Sequence, residues 1–265
     1  GDRGLVSRRR GQPSNNRLAA ATVSRIEQAL RERYADFGPT FAAEKLLEHE
    51  GIAVSAESVR QIQIRLGLWR PKSRRVRRVF QVRERRSRFG ELIQIDGSVH
   101  DWLEGRGPRM TLIVFIDDAT GRLTGLRFAP AETTRAYVET LRDHVLAHGV
   151  PLAFYSDRHG IFRINAKDMD SGDGLTALNR VTERLGNEQI CATTPQAKGR
   201  VERANQTLQD RLIKEMRLAG VADMAAAQAF LPGFIAHHNR RFAVTPKSVE
   251  DAHKPWSDGV AGLDA

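Results

Sequence analysis

Residues 110–130, "MTLIVFIDDATGRLTGLRFAP", contain two apolar runs joined by a short polar segment. The first run is continuous, which is typical of a strand buried on both faces of a sheet. Asp117 and Asp118, just before Gly121, are expected to form the turn between the runs rather than to bind metal. The preceding stretch "ELIQIDG" (residues 91–97) is a shorter apolar run that ends at Asp96. Together these runs predict three neighbouring strands.

After residue 130 the chain alternates between helix and strand patterns. Val138, Leu141 and Val145 recur at helical spacing, and "PLAFYSDRHG" (residues 151–160) reads as a fourth strand ending at Asp157. A helix, a strand and two more helices follow, and we expect an interruption of the last helix near Pro232. This order predicts an α/β domain with a five-stranded mixed sheet flanked by helices.

The segment before residue 71 is entirely helical in pattern. In "TFAAEKLLEHEGIAVSAESVRQIQIRLGLW" (residues 40–69), Thr40 can cap one helix, Gly51 can end it and Ser55 can cap a second. This is a helix-turn-helix pattern, a small all-α unit whose second helix enters the major groove in DNA-binding proteins. The polar residues that would face base edges are Glu57, Arg60, Gln61 and Gln63. Similar helix pairs occur in proteins that bind no DNA, so a purely structural role stays open.

The charge of the chain favours a polyanionic partner. The 265 residues carry a formal net charge of +10, and residues 71–88 hold nine lysines and arginines against the single acid Glu84. Cations set against phosphates release counterions on binding, so nucleic acid is the first candidate, with solubility as the alternative. The same basic segment could also be a solvated spacer. The proposed phosphate contacts are Arg74, Arg75, Arg77, Arg78, Lys198, Arg200 and Arg203.

Several classes of protein are disfavoured. The sequence has no apolar run of membrane-spanning length and no secretory signal pattern, so a cytosolic protein is expected. The single cysteine, Cys191, cannot form an internal disulfide, and no Cys/His cluster has zinc-ligand spacing. The glycine-rich loops and nucleophile motifs of other enzyme classes are also missing.

Three acids form the candidate site: Asp96 and Asp157, each expected at a strand end, and Glu202 in "ATTPQAKGRVERANQTLQDRL" (residues 192–212). On that helix Glu202 borders an apolar stripe of Val201, Ala204, Leu208 and Leu212, with Arg200, Arg203, Arg211, Lys214 and Arg217 on the far side. Each acid alone could be a turn former or a solvated charge. Together, converging carboxylates would repel one another unless divalent cations were bound, and such hard oxygen ligands suit two Mg²⁺ or Mn²⁺ ions. The chemistry would be in-line phosphoryl transfer.

The pattern resembles the ribonuclease H-like core of DDE transposases and retroviral integrases. More specifically, "RFGELIQIDGSVHDWLEGRGP", "VFIDDATGRL", "YSDRHGIFR", "PQAKGRVERANQTLQDRL" and "HNRRFAVTP" resemble the ISNCY group of bacterial insertion-sequence transposases. The resemblance implies cleavage at transposon ends and strand transfer into target DNA by a multimer, at least a dimer, in the bacterial cytoplasm and nucleoid. It assigns Asp96, Asp157 and Glu202 to the catalytic acids. Where many relatives carry a basic residue seven positions after the glutamate, this chain has Gln209, and Lys198, Arg203 or Arg211 are the candidate replacements.

The sequence predicts five segments: a basic arm (1–17), a helix-turn-helix domain (18–70), a basic linker (71–89), a catalytic core (90–243) and a tail (244–265). Two other functions stay open. One is a catalytically silent DNA-binding protein derived from a transposase, and the other is a nuclease on RNA–DNA hybrids, since a fold does not fix a function.

Overall fold

The computed structural model describes residues 17–70, 84–156, 176–191 and 199–257. The chain divides into two compact units, residues 1–77 and 78–265, and the boundary lies inside the basic segment 71–89. All but the last residue of the expected arm lie outside the described residues. In the described part of the chain, no helix is long and apolar enough to cross a membrane.

The described helices and strands follow the order that the sequence predicts. They are α1 Ala20–Glu32, α2 Pro39–Glu50, α3 Ala56–Arg65, β1 Ile93–His100, β2 Met110–Asp117, β3 Leu123–Ala129, α4 Thr134–His148, β4 Ala153–Ser156, α5 Ala177–Arg184, β5 Glu188–Cys191, α6 Gly199–Leu218 and α7 Met224–Phe242.

The first unit is a bundle of α1, α2 and α3. Gly51 ends α2 in the left-handed conformation (φ 66°), which glycine adopts without steric cost, and the Ser55 hydroxyl accepts a hydrogen bond from Ser58 N at 3.1 Å to cap α3. Thr40 was expected to cap α2, and this expectation is wrong. The helix begins at Pro39, one residue before Thr40. Proline suits the first turn of a helix because it has no N–H group that would be left without a partner there.

The second unit is built on a five-stranded mixed sheet in the order β3-β2-β1-β4-β5. The pairs β1–β2 and β2–β3 are antiparallel, whereas β1–β4 and β4–β5 are parallel. All eight residues of β2 are buried, because α6 and α7 pack over Leu112 and Val114 while α4 and α5 pack over Ile113 and Phe115. This arrangement confirms the predicted ribonuclease H-like sheet with helices on both faces.

Strand β1 is longer than the sequence suggested. Asp96 was expected at its end, yet the strand continues to His100 because residues 97–100 pair with Ile113–Met110 of β2. The apolar pattern stops at Asp96 because the strand is less covered from there on: Asp96 and Gly97 are partly exposed, and Val99 and His100 are exposed. The described pairing of β1 with β4 is limited to Ile93 and Gln94, so Asp96 lies just past the region where β1 has neighbours on both sides.

The expected interruption of the last helix is not present. Pro232 lies inside the continuous helix α7, although a proline in a helix interior removes one backbone hydrogen bond and costs about 3 kcal/mol. The inner face of the same helix packs in the core between α6, α7 and the sheet, where Ala227, Leu231 and Phe234 are at most 3% exposed. Burial of this face therefore offsets the local cost of the proline.

Residues 244–257, expected as a tail, pack against the rest of the second unit. Val150 and Lys254 exchange two backbone hydrogen bonds of 2.8 Å, and Ala252 N donates to Phe89 O at 2.8 Å. The segment immediately before the sheet is also attached, since Ser248 N donates to Ser87 O at 3.0 Å. The second unit thus includes described residues on both sides of the range 90–243.

Candidate active site

Asp96 points toward the layer formed by α6. Its half-buried carboxylate accepts, at Oδ2, a hydrogen bond of 2.7 Å from Nδ2 of Asn205, a side chain that is 9% exposed. A bond from an amide to a carboxylate is charge-assisted and stronger than one between neutral groups. It therefore fixes the orientation of Asp96 relative to the second turn of α6.

Helix α6 follows β1 along the sheet. Val201 N donates to Gln94 Oε1 at 3.2 Å, Asn205 donates to Asp96, and Gln209 Nε2 donates to Ser98 Oγ at 3.1 Å. Every second residue of the strand thus meets every fourth residue of the helix. The predicted apolar stripe anchors this alignment, since Val201, Ala204, Leu208 and Leu212 are all at most 7% exposed.

Glu202 is three residues before Asn205 and so is its neighbour on the surface of α6. Its side chain is exposed, on the helix that packs against the face of the sheet bearing Asp96. The structure therefore brings the first turns of α6 to Asp96. The sequence placed Glu202 at the border of the apolar stripe, and the exposed Glu202 beside the buried Val201 agrees with that placement.

Asp157, the third acid, lies outside the described residues, which resume at residue 176. The described part of β4 ends at Ser156, directly before it. Among the side chains that the structure does describe, no group of three or more His, Cys, Asp or Glu residues is arranged to hold a metal ion. The described part of the site is therefore Asp96, Glu202 and Asn205.

Asn205 is a functional candidate that the sequence analysis missed. Its Oδ1 atom is buried and has no hydrogen-bond partner among the residues that the structure describes, while Nδ2 donates to Asp96. A buried polar atom without a partner is costly, and in native proteins it calls for an explanation such as a bound water or ion. The signal in the sequence was the spacing of three between Glu202 and Asn205, which puts both on one side of a helix.

The basic residues of α6 divide into two groups. Arg203 is exposed, whereas Arg200 turns inward and its Nη1 donates to Asp118 Oδ1 at 2.6 Å. The expected exposure of Arg211 and Lys214 is wrong, because both are at most 9% exposed. Arg211 lies over the ring of Phe242 at 4.9 Å, a packing contact that the helical pattern alone could not indicate.

The DNA contacts expected in the first unit also divide. Gln63 is fully buried, and its Nε2 donates to Phe37 O at 2.8 Å, so the expectation that it faces bases is wrong. Gln63 lies next to Ile62 on α3, and its side chain points into the helical bundle. Gln61 is exposed and Arg60 half-buried, and both bind the carboxylate of Glu57. The remaining candidates, Arg74, Arg75, Arg77, Arg78 and Lys198, lie outside the described residues.

The two acids at the end of β2 have different partners: Asp117 is the last residue of the strand and Asp118 follows it. Asp117 forms the expected turn, accepting from Thr120 N at 2.7 Å and from Gly90 N at 3.0 Å, and burial raises the pKa of its carboxyl above the usual range. Asp118 is the first residue of that turn, as predicted, and its fully buried carboxylate also binds Arg200 of α6.

No protein-family model matches the chain. "Putative transposase y4bF" of Sinorhizobium fredii (strain NBRC 101917 / NGR234) is 52% identical over 246 residues, which are 92% of this chain and 53% of that protein. "Transposase for insertion sequence IS1202" of Streptococcus pneumoniae is 34% identical over 235 residues, covering 75% of this chain and 50% of that protein. The chain thus spans about half the length of the curated relatives that it matches.

Solved structures resemble the chain only remotely. A simian T-cell lymphotropic virus intasome in complex with PP2A regulatory subunit B56 gamma aligns with 88% of this chain and 80% of that chain, at a TM-score of 0.48 and 15% identity. The HTLV-2 integrase catalytic core domain in complex with magnesium, in its dimeric form, aligns with 62% of this chain and 96% of that chain, at a TM-score of 0.44 and 14% identity.

The strand order and the two helical layers define the class of the second unit, which is a ribonuclease H-like α/β domain. Sequence identity then relates the chain to transposases. Over 92% of its length it is similar to the relative from Sinorhizobium fredii, and over 75% to the relative from Streptococcus pneumoniae.

Proposed function

We propose that the chain is the DNA-binding and catalytic portion of a DDE transposase of the ISNCY group, and that it cleaves transposon ends and transfers them into target DNA. The observation that carries the proposal is the hydrogen bond of 2.7 Å between Asn205 and Asp96. It ties the strand that bears the first acid to the helix that bears Glu202. Homology to two transposases supports the reaction class.

Asp96, Asp157 and Glu202 are the residues that would hold two Mg²⁺ or Mn²⁺ ions. Two features of the described residues fit this assignment: carboxylates are the hard oxygen donors that these ions prefer, and the orphaned Oδ1 of Asn205 offers a further oxygen beside Asp96. When bound, two such metal ions supply Lewis-acid activation of the attacking hydroxyl or water and stabilise the leaving oxygen.

The chain's own residues supply position and charge. Asn205 holds Asp96 in one orientation, and the apolar stripe from Val201 to Leu212 fixes α6 on the sheet, so both acids are set before substrate arrives. Preorganisation of this kind avoids rearrangement during the reaction. No protein nucleophile takes part in the proposal, because the DNA hydroxyl or water attacks phosphorus in line.

We propose that double-stranded DNA, as transposon ends and as target, is held by basic and amide side chains of both units. The candidates are Arg60 and Gln61 on α3, Arg203 on α6, and Arg74, Arg75, Arg77, Arg78 and Lys198. Arg200 is better assigned to positioning because it is paired with Asp118. A homo-oligomer, at least a dimer, would pair the two ends, and the site of action would be the bacterial nucleoid in the cytoplasm.

The test uses the full-length protein with Mg²⁺ and labelled duplexes that carry the terminal repeats flanking its gene. We expect Asp96→Asn and Glu202→Gln to abolish cleavage and strand transfer while binding of the duplex persists. Asp210→Asn is the matched control, since Asp210 is exposed and lies two turns further along α6. Wild-type rates in both acid variants would refute the catalytic assignment.

The same experiment separates the other two functions. A catalytically silent DNA-binding protein would bind the duplexes and leave them intact in every variant. A nuclease on hybrids would cut RNA–DNA duplexes and ignore the transposon ends. The helix-turn-helix arrangement of α2 and α3 favours duplex DNA over hybrids, because that motif is built for the major groove of B-form DNA.

A further inference from the structure

A buried polar cluster joins the start of α6 to the sheet, directly beside the proposed site. It consists of Gln94 on β1, Asp118 after β2 and Arg200 in the first turn of α6, and we name it the α6 clamp. Gln94 and Asp118 are both fully buried, and the Arg200 side chain is 18% exposed. The sequence analysis assigned none of these three residues a positioning role.

Asp118 is the centre of the clamp. Its Oδ1 accepts from Gln94 Nε2 at 2.7 Å and from Arg200 Nη1 at 2.6 Å, while its Oδ2 accepts from Arg86 N at 2.8 Å. A carboxylate removed from water must be paired and hydrogen-bonded, and these three donors meet that requirement. The charge on Asp118 therefore holds β1, the segment before the sheet and α6 at one point.

Gln94 completes the connection through its other side-chain atom. The first N–H groups of a helix have no partner within the helix, and Gln94 Oε1 accepts one of them, Val201 N, at 3.2 Å. A side chain that is 107 residues away in sequence thus caps the start of α6. The amide of Gln94 is suited to this position, because it donates to Asp118 and accepts from Val201 at once.

Glu202 follows Val201 directly, and Asp96 is two residues beyond Gln94 on the same face of β1. The structure assigns to the α6 clamp the role of fixing the first turn of α6 on β1, so that Glu202 is held at Asp96 before metal binds. Gln94, Asp118 and Arg200 are therefore positioning residues for the proposed reaction. This inference rests on the function proposed above, although its first test does not require activity.

The first test measures hydrogen exchange of the backbone amides in residues 199–205 of the metal-free, full-length protein. Arg200→Met removes the bond from Arg200 to Asp118, and Gln94→Leu removes the bonds of Gln94 to Asp118 and to Val201 N. We expect exchange in this segment to become roughly tenfold faster in each variant. Arg217→Met is the matched control, because Arg217 lies in the last turn of α6 and pairs with the surface residue Glu104 at 3.1 Å. Exchange equal to the control in both clamp variants would overturn the inference.

The second test compares the Mg²⁺ dependence of strand transfer in the same variants. Loss of a residue that positions metal ligands typically weakens metal affinity or activity about 10- to 100-fold. We expect the Mg²⁺ concentration for half-maximal rate to rise about tenfold in Arg200→Met, with partial recovery of the rate at saturating metal. Arg200→Lys should retain more metal affinity than Arg200→Met, because an ammonium still neutralises Asp118. A lower rate with an unchanged Mg²⁺ midpoint would indicate general damage and refute positioning.

The two proposals fail in different ways. Full activity of Asp96→Asn would remove the catalytic function and leave the exchange result as a test of the clamp itself. Activity lost in Asp96→Asn but untouched, in rate and in Mg²⁺ midpoint, in both clamp variants would retain the function and remove the clamp. Should Gln94→Leu fail to fold, Arg200→Met decides the question, because the Arg200 side chain lies closer to solvent than the buried Gln94.

Discussion

Replacing Asn205 with alanine tests the contact on which the proposed site depends. The change removes a hydrogen bond of 2.7 Å to the carboxylate of Asp96 and leaves the fold of α6 intact, since alanine is the best helix former. A hydrogen bond to a charged group contributes about 1.5 to 3 kcal/mol when it cannot be replaced by water. Asp96 is half-buried, so water can replace much of it in the resting protein.

The two readouts of Asn205→Ala should therefore differ. We expect the free energy of unfolding to fall by roughly 1 kcal/mol or less, because the exposed side of Asp96 is rehydrated. The rate of strand transfer should fall about 10- to 100-fold, since outer contacts of metal ligands have effects of that size and each tenfold step corresponds to about 1.4 kcal/mol. The catalytic loss then matches the full strength of the charge-assisted bond.

The assay measures single-turnover strand transfer at saturating Mg²⁺ together with urea denaturation of the same samples. Gln206→Ala is the control, because Gln206 is exposed and adjacent on the same helix. Asp96→Asn is expected to be inactive, so the pair is tested in that background by urea denaturation: removal of Asn205 should cause no further loss of stability there, since the two residues act as a pair. A strand-transfer rate of Asn205→Ala within twofold of wild type would refute the reasoning, and so would a loss of stability in the Asp96→Asn background equal to the loss in the wild-type background.

Three further predictions follow from other contacts. Burial lowers the pKa of His238 to about 4, so the stability that its neutral imidazole provides is present above pH 6.5 and is lost as pH falls toward 4. Between pH 7 and pH 5 this loss is about 2 kcal/mol, and urea titrations should show it in wild type and not in His238→Leu. In Gly97→Ala the new Cβ would lie 2.6 Å from Cδ of Glu132. Thermal denaturation should therefore detect a loss of about 1 kcal/mol in the free energy of unfolding, and Glu132→Ala should relieve it. Equal losses with and without Glu132→Ala would contradict this. Gln63→Ala should lose about 1 to 3 kcal/mol by leaving a buried carbonyl unpaired, whereas Gln61→Ala should keep wild-type stability and weaken binding of transposon ends in fluorescence anisotropy. Unchanged DNA affinity in Gln61→Ala would argue against α3 as the reading helix.

The sequence predicted the order of strands and helices of the second unit because its periodic signals are strong. The continuous apolar run of β2 could only be buried on both faces, and the stripe from Val201 to Leu212 could only pack inward. Such patterns report the local environment of each residue. They therefore indicate which elements form and which face is covered.

The details that the sequence analysis misplaced or missed share a different cause. Gln63, Asp118 and Arg211 are polar residues whose partners are 26, 82 and 31 positions away, at Phe37, Arg200 and Phe242. No local pattern indicates whether a polar side chain will find such a partner on folding. The same reasoning applies to Asn205, whose link to Asp96 spans 109 positions, although its spacing from Glu202 was visible.

The parallel bridge between Phe89 and Asp251 places the two ends of the described second unit side by side. Because these two segments run in the same direction, tension applied at residues 84 and 257 would pull them from opposite ends and load their few bonds together, in shear. Contacts loaded in shear resist more force than contacts that open one at a time. A tether attached at these two points in an optical trap should therefore stay short until these contacts rupture together, in one abrupt lengthening that releases residues 244–257.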